Sequence, residues 1–211
     1  MAARGKFITV EGIEGVGKST NIEFIRQALA AAGKRVIVTR EPGGPEVSEA
    51  IREVLLSPEL PSMHPDTELL LMFAARAEHL HQRILPAIEQ GDWVVCDRFT
   101  DATYAYQGGG RGIARERIAA LEGFVQGDLR PDATILLDTD VDTGLSRAKN
   151  RGAADRFEQE TVNFFERVRD CYLDMAKAEP RRYHVVNAAL PLTDVQTQIA
   201  AVIDALVCGT S

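Results

Sequence analysis

A chain of 211 residues, 45% of them hydrophobic, can bury one good core and has room for one domain with a small mobile insert. Its formal net charge of −7 excludes a binder of long nucleic acid, which needs a surplus of basic residues, so any anion site is a local Arg and Lys cluster. Cys96, Cys171 and Cys208 are scattered without metal spacing, which reads as a reduced, cytoplasmic chain with Cys96 and Cys171 in the core. The N-terminus has no apolar signal core, and no run approaches a membrane span.

In chain order, the apolar run Phe7-Ile8-Thr9-Val10 predicts a strand, and Gly12-Ile13-Glu14-Gly15-Val16-Gly17-Lys18-Ser19 follows directly. That is a full G-x-x-x-x-G-K-[ST] loop, and it opens a helical pattern from about 17 to 32 that stops at Gly33. The glycines let backbone N–H groups converge on phosphate oxygens, Lys18 spans the β- and γ-phosphates, and the Ser19 hydroxyl can ligate Mg²⁺. The competing reading is a Gly-rich strand-to-helix turn. A strand before the motif and a helix after it favour a nucleoside triphosphate site.

Further apolar runs at 36–39, 93–96, 134–137 and 183–186 predict four more strands. They are continuous rather than alternating, as expected where helices cover both faces of a sheet. Between them, 66–90 places Leu69, Phe73, Ala77, Leu80, Ile84 and Ile88 on one face of a long helix. A last helix opens with Thr193-Asp194-Val195-Gln196, read as a capping box, and carries Ile199, Val202, Ile203 and Leu206 on one stripe. The expectation is a single α/β domain over 1–211, doubly wound, with a five-stranded parallel sheet and helices on both faces.

Ligands of such sheets gather at the carboxyl ends of the strands. Thr39-Arg40-Glu41-Pro42-Gly43-Gly44 follows the second strand, and Asp97-Arg98-Phe99 follows the third. Asp97 suits a water-mediated Mg²⁺ partner behind the loop, and it equally suits a helix cap. The cations Arg147, Lys149, Arg151 and Arg156 form either an anion-binding segment or a solvated helix end.

Together, Val10 to Thr20, Thr39 to Gly44, Asp97-Arg98-Phe99 with Ala105-Tyr106-Gln107-Gly108-Gly109-Gly110-Arg111, and Arg151-Gly152 through Asp155-Arg156-Phe157-Glu158-Gln159 stand in an order that resembles bacterial thymidylate kinases. The resemblance spans about residues 6–205. It implies the phosphate-loop nucleoside-monophosphate-kinase fold with a small lid at about 147–159. It also implies transfer from ATP, with Mg²⁺, to dTMP for dTTP synthesis, and a homodimer. The alternative is another nucleoside monophosphate or deoxynucleoside kinase. A GTPase would need a guanine-reading N-K-x-D, which the sequence lacks, and an inactive phosphate-loop module would not need Lys18, Ser19, Asp97 and the arginines together.

Carried onto this chain, the family's roles place ATP on Gly12, Ile13, Glu14, Gly15, Val16, Gly17, Lys18, Ser19, Thr20, Arg147 and Arg156, the last two serving either the nucleotide or lid packing. Ser19 and, through water, Asp97 hold the metal. Phe73 stacks on thymine, although its place in the apolar stripe reads as core, and Arg76 bonds the base carbonyl. Arg40 and Arg98 grip the acceptor phosphate, Pro42 packs near the base, and Tyr106 excludes a ribose 2′-hydroxyl. Thr103 and Gln107 give polar contacts toward the base. Glu14 positions the sugar 3′-hydroxyl or the acceptor end, or is solvated at the loop tip. The loop tip Ile13-Glu14-Gly15-Val16 has no cation, which resembles the subtype whose catalytic arginine comes from the lid. Lys18, Arg98, Glu14 and Arg151 are thus the catalytic set. Pro45 stands where Thr is common in the family, and Thr103 where some members use Asn.

Overall fold

The computed structural model describes residues 4–149 and 155–209. Five strands form one sheet: β1 (Phe7–Glu11), β2 (Val36–Arg40), β3 (Trp93–Asp97), β4 (Ala133–Asp138) and β5 (Tyr183–Asn187), in the order β2-β3-β1-β4-β5. All four pairings are parallel. The three inner strands are buried almost throughout, whereas β2 and β5 at the edges are partly exposed. This explains why the inner runs read as continuous apolar stretches.

Alternate residues of β3 serve the two faces. Trp93 and Val95 join a cluster with Ile25 and Leu29 of α1 (Lys18–Ala31), while Val94 and Cys96 join one with Leu80, Ile84 and Ile88. Burying such a side chain contributes roughly 1.5–3 kcal/mol, so these strands and helices hold one another in place. Chain order sets the ligand crevice. From β1 the chain crosses outward to β2, and from β3 it crosses to the other side, to β4. The switch point therefore lies at the carboxyl ends of β1 and β3, where Gly12 and Arg98 stand.

Two expectations are corrected. The stretch 66–90 is not one uniform helix: α3 (Pro65–His79) passes through a π-helical turn at Leu80–Ile84 into α4 (Leu85–Glu89). Pro86 has no N–H to donate into the preceding turn, and the extra residue of the π turn accommodates that break. Ala77 is only half-buried, while the other five residues of the stripe are buried. The proposed capping box is also absent. The last helix, α9 (Leu192–Cys208), is entered from Pro191 without any side-chain cap, and Thr193 lies inside its first turn.

The remaining helices are α2 (Glu46–Leu56), α5 (Thr100–Thr103), which continues into a second π-helical segment at Tyr104–Gly110, α6 (Arg115–Gln126), α7 (Val141–Lys149) and α8 (Val162–Ala178). Cys96 is buried as expected, Cys171 is half-buried and Cys208 is exposed, and none is in a disulfide. Among the described residues no helix is long and apolar enough to cross a membrane.

Candidate active site

The loop from Gly12 to Gly17 joins buried β1 to α1, so the first N–H groups of α1 face the crevice. Gly15 has φ +77°, and a Cβ there would lie 1.7 Å from the Gly144 carbonyl oxygen of α7. Only glycine lets loop and helix meet this closely. Lys18 curls back over the loop, its Nζ donating to the carbonyls of Ile13 at 3.1 Å and Gly12 at 3.3 Å. Burial first, then Arg98, push its ammonium below the ordinary value, against the pull of Glu14, Asp97 and Glu11. Ser19 and Thr20 are exposed on the first turn of α1.

A cavity beside the loop is lined by residues from every strand end the sequence pointed to: Glu14, Lys18, Arg40, Pro42, Arg76, Asp97, Arg98, Thr103, Tyr106 and Gln107. Arg98 sits at φ +66° just past β3, its Nη2 donating to Glu14 Oε1 at 2.5 Å and to the Tyr106 hydroxyl at 2.8 Å. Burial raises the Glu14 carboxyl, but Arg98 and Lys18 outweigh it and leave the group at about 2. Glu14 is therefore an anion inside the site, not a carboxylate solvated at the loop tip. Asp97 keeps its Oδ1 buried without a hydrogen-bond partner, and the short helix after it is entered from Phe99 without a side-chain cap. This removes the capping role for Asp97.

Arg76, on α3, is held on two sides. Its Nε donates to Glu41 Oε2 at 2.8 Å, and its Nη2 donates to Thr103 Oγ1 at 2.9 Å. Its Nη1 is buried and unpartnered. Phe73, three residues earlier, is only 2% exposed, with the Arg76 guanidinium 4.7 Å over its ring. It belongs to the core cluster, and on this helix Met72 and Arg76 form the cavity wall. Gln107 donates to Glu68 at 2.8 Å. Arg40 pairs with Glu49 at 2.8 Å on the surface. Pro45 opens α2, so the missing donor costs nothing there, and the Gly44 N–H finds Glu49 instead.

The arginines of the expected lid diverge. Arg147 donates to the Ala188 carbonyl at 2.9 Å beyond β5. Arg156 is tied to the Leu55 carbonyl at the end of α2 at 2.8 Å and to Glu68 of α3 at 2.8 Å. Arg151 lies outside the described residues.

Several contributors carried no role in the sequence reading. Arg52 lines the cavity and donates to the Pro42 carbonyl at 2.7 Å. Burial, then Arg40 and Arg98, push its pKa down. Glu11 is wholly buried, accepting from the Phe99 N–H and the Tyr172 hydroxyl, each at 2.7 Å. Its signal was a charged residue closing an apolar strand directly before the loop. Glu68 joins Gln107, Arg111 and Arg156.

The chain was compared with known proteins. The family model described as thymidylate kinase matches residues 10–199. A thymidylate kinase of Pseudomonas savastanoi pv. phaseolicola is 60% identical over 92% of this chain and 93% of its own length. One from Alcanivorax borkumensis is 56% identical over 95% and 96%. The crystal structure of thymidylate kinase from Ehrlichia chaffeensis superposes with a TM-score of 0.78 at 34% identity, covering 96% of this chain and 99% of that one. With a phosphate loop and an arginine-lined cavity at the switch point of this sheet, the chain belongs to the thymidylate kinase family, which transfers a phosphoryl group from ATP to dTMP to give dTDP and ADP.

Proposed function

We propose that the site divides into a donor half on the loop and an acceptor half in the cavity, with Arg76 reading the base. The observation that carries this is the Arg76 guanidinium: fixed by Glu41 and Thr103, it keeps its buried Nη1 free beside the cavity. An unsatisfied buried donor is costly, and a thymine carbonyl would satisfy it. Gln107 and Thr103 complete the polar end, Pro42 and Met72 the apolar wall, and Tyr106 crowds the sugar. Phe73 supports the base from below through the Arg76 guanidinium that covers its ring.

The acceptor is a phosphate oxygen, already ionised near neutral pH, so no strong general base is required. The residues must instead hold two anions in line and offset their repulsion. Arg98 and Arg40 grip the acceptor phosphate, and Lys18 leaves its loop carbonyls for the transferring phosphates. The exposed Ser19 hydroxyl and the unpartnered Asp97 oxygen suit Mg²⁺, which takes few protein ligands beside nucleotide oxygens and water. When bound, the ion neutralises charge on the β- and γ-phosphates. The loop tip is cation-free, so Arg151 of the lid at about 147–159 supplies the missing positive charge as the lid closes and excludes water. Arg147 serves the nucleotide, and Arg156 serves lid packing.

Val47 and Val54 of α2, Leu70 of α3 and Phe124 of α6 are large apolar residues left exposed, Phe124 by 87%. These three helices pack side by side, α3 between α2 and α6. A second copy of the chain covering them would make the homodimer. Three unpaired cysteines agree with a cytoplasmic setting. A coupled ADP-release assay against dTMP, dUMP, UMP, dCMP and dGMP tests the assignment. dTMP should give the highest kcat/KM, and a ribonucleotide that matched it would overturn the acceptor half.

A further inference from the structure

We propose that His79 is a positioning residue for base recognition, fixing the Arg76 guanidinium through Glu41. The inference rests on the reading of Arg76 as the base contact. His79 does not line the cavity and is wholly buried. Its Nδ1 lies 3.1 Å from Glu41 Oε1, while Glu41 Oε2 accepts from Arg76 Nε at 2.8 Å. A carboxylate can only accept, so the proton of this contact is on Nδ1. On its far side, Nε2 of His79 meets Thr39 Oγ1 at 2.6 Å. The result is a buried line Thr39–His79–Glu41–Arg76–Thr103 that ties the end of β2 to α3 and to α5.

Among the described residues Glu41 is the only carboxylate paired with Arg76, and His79 occupies its other oxygen. With both carboxylate oxygens taken, the plane of Glu41 is set, and the forked geometry of the guanidinium passes that plane on to Nη1. The neighbouring turn is built around the same ring. A Cβ on Gly44 would lie 2.7 Å from a ring carbon of His79, so the turn carrying Pro42 closes directly onto it. An apolar side chain of similar size would fill this space but leave Glu41 Oε1 and Thr39 Oγ1 without their contacts to the ring. The imidazole contributes direction rather than volume.

The test is steady-state kinetics with His79→Leu, His79→Asn, His79→Gln and Arg76→Ala. Asn places its amide nitrogen near the position of Nδ1 and keeps the donor to Glu41, whereas Gln reaches toward Nε2. Leu and Gln should raise KM for dTMP roughly fivefold or more, Asn should stay within about twofold, and KM for ATP should hold within about twofold in all three. Asn behaving like Leu, Leu behaving like the parent, or both KM values rising together would overturn the proposal. If Leu does not fold, Asn against Gln decides, and an Asn variant that fails to fold also counts against it. Arg76→Ala separates the two levels. No rise in KM for dTMP there removes the base contact itself, whereas a rise there with none in His79→Leu removes only the role of His79.

Discussion

Glu14 Oε1 and Arg98 Nη2 meet at 2.5 Å in the lining of the cavity, each side chain only 17% exposed. Arg98 carries its half of the pair from a left-handed backbone at φ +66°. Glu14→Ala removes the counter-charge from a mostly buried guanidinium, with an expected loss of about 2 kcal/mol in unfolding free energy. Because the Glu14 carboxyl is lowered to about 2, this stabilisation is present above about pH 4.5 and lost only as pH falls toward 2. Urea denaturation should therefore give the same parent–variant gap at pH 6 and pH 8. A gap that changed across that range would contradict the pairing.

Glu11 has the opposite sign. Burial first, and Asp101 second, push its carboxyl up to about 8. A raised carboxyl favours the folded state below its unfolded value near 4.5, and that advantage is lost as pH rises through about 8. Glu11→Gln keeps an oxygen for the Phe99 N–H and has no charge to bury. The fall in melting temperature between pH 5 and pH 8.5 should be smaller in this variant than in the parent. An equal fall in both would mean Glu11 is ionised throughout.

Lys18→Ala should fold normally and lose kcat about a hundredfold or more, on the order of 3 kcal/mol of transition-state stabilisation. Among the described residues its Nζ hydrogen-bonds only to loop carbonyls, so little of the fold depends on it. Circular dichroism beside the coupled assay checks both halves. Retention of more than half of kcat would remove the loop's catalytic role.

Much of this was legible because the chemistry is local. The strands from Phe7 and Trp93 are buried on both faces and read as apolar runs, and the glycine loop declares itself by spacing. The cavity arginines were picked out by family resemblance, since Arg40, Arg76 and Arg98 lie far apart in sequence and only the fold brings them together. What stayed hidden depends on tertiary partners. Glu41 stood in a recognised motif without a role until Arg76 and His79 closed on it. Periodicity read Phe73 as core and the structure keeps it there, whereas the resemblance had placed it against the base. The π turn before Pro86 and the entry to α9 at Pro191 were missed for one reason. Proline reshapes the turn beside it, whereas the periodic pattern continues through.

Arg151→Ala should lower kcat roughly a hundredfold or more, with little change in dTMP affinity measured without ATP. Lys18 and one cation do not balance a phosphoryl transition state, and arginine's planar fork suits the remaining charge. Arg156→Ala should cost less, because its side chain is already bound to Glu68 and the Leu55 carbonyl. If Arg147, Arg151 and Arg156 alanine variants all keep kcat within about threefold of the parent, the lid is a cover and not a catalyst.

The division into donor loop and acceptor cavity is tested most directly by measuring KM for both substrates in Arg76→Ala. The account predicts a rise of roughly tenfold or more for dTMP with KM for ATP barely changed, because Arg76 lines the cavity and its buried Nη1 has no hydrogen-bond partner. Equal rises for dTMP and ATP would contradict it, and would make Arg76 a residue that holds α3 in place.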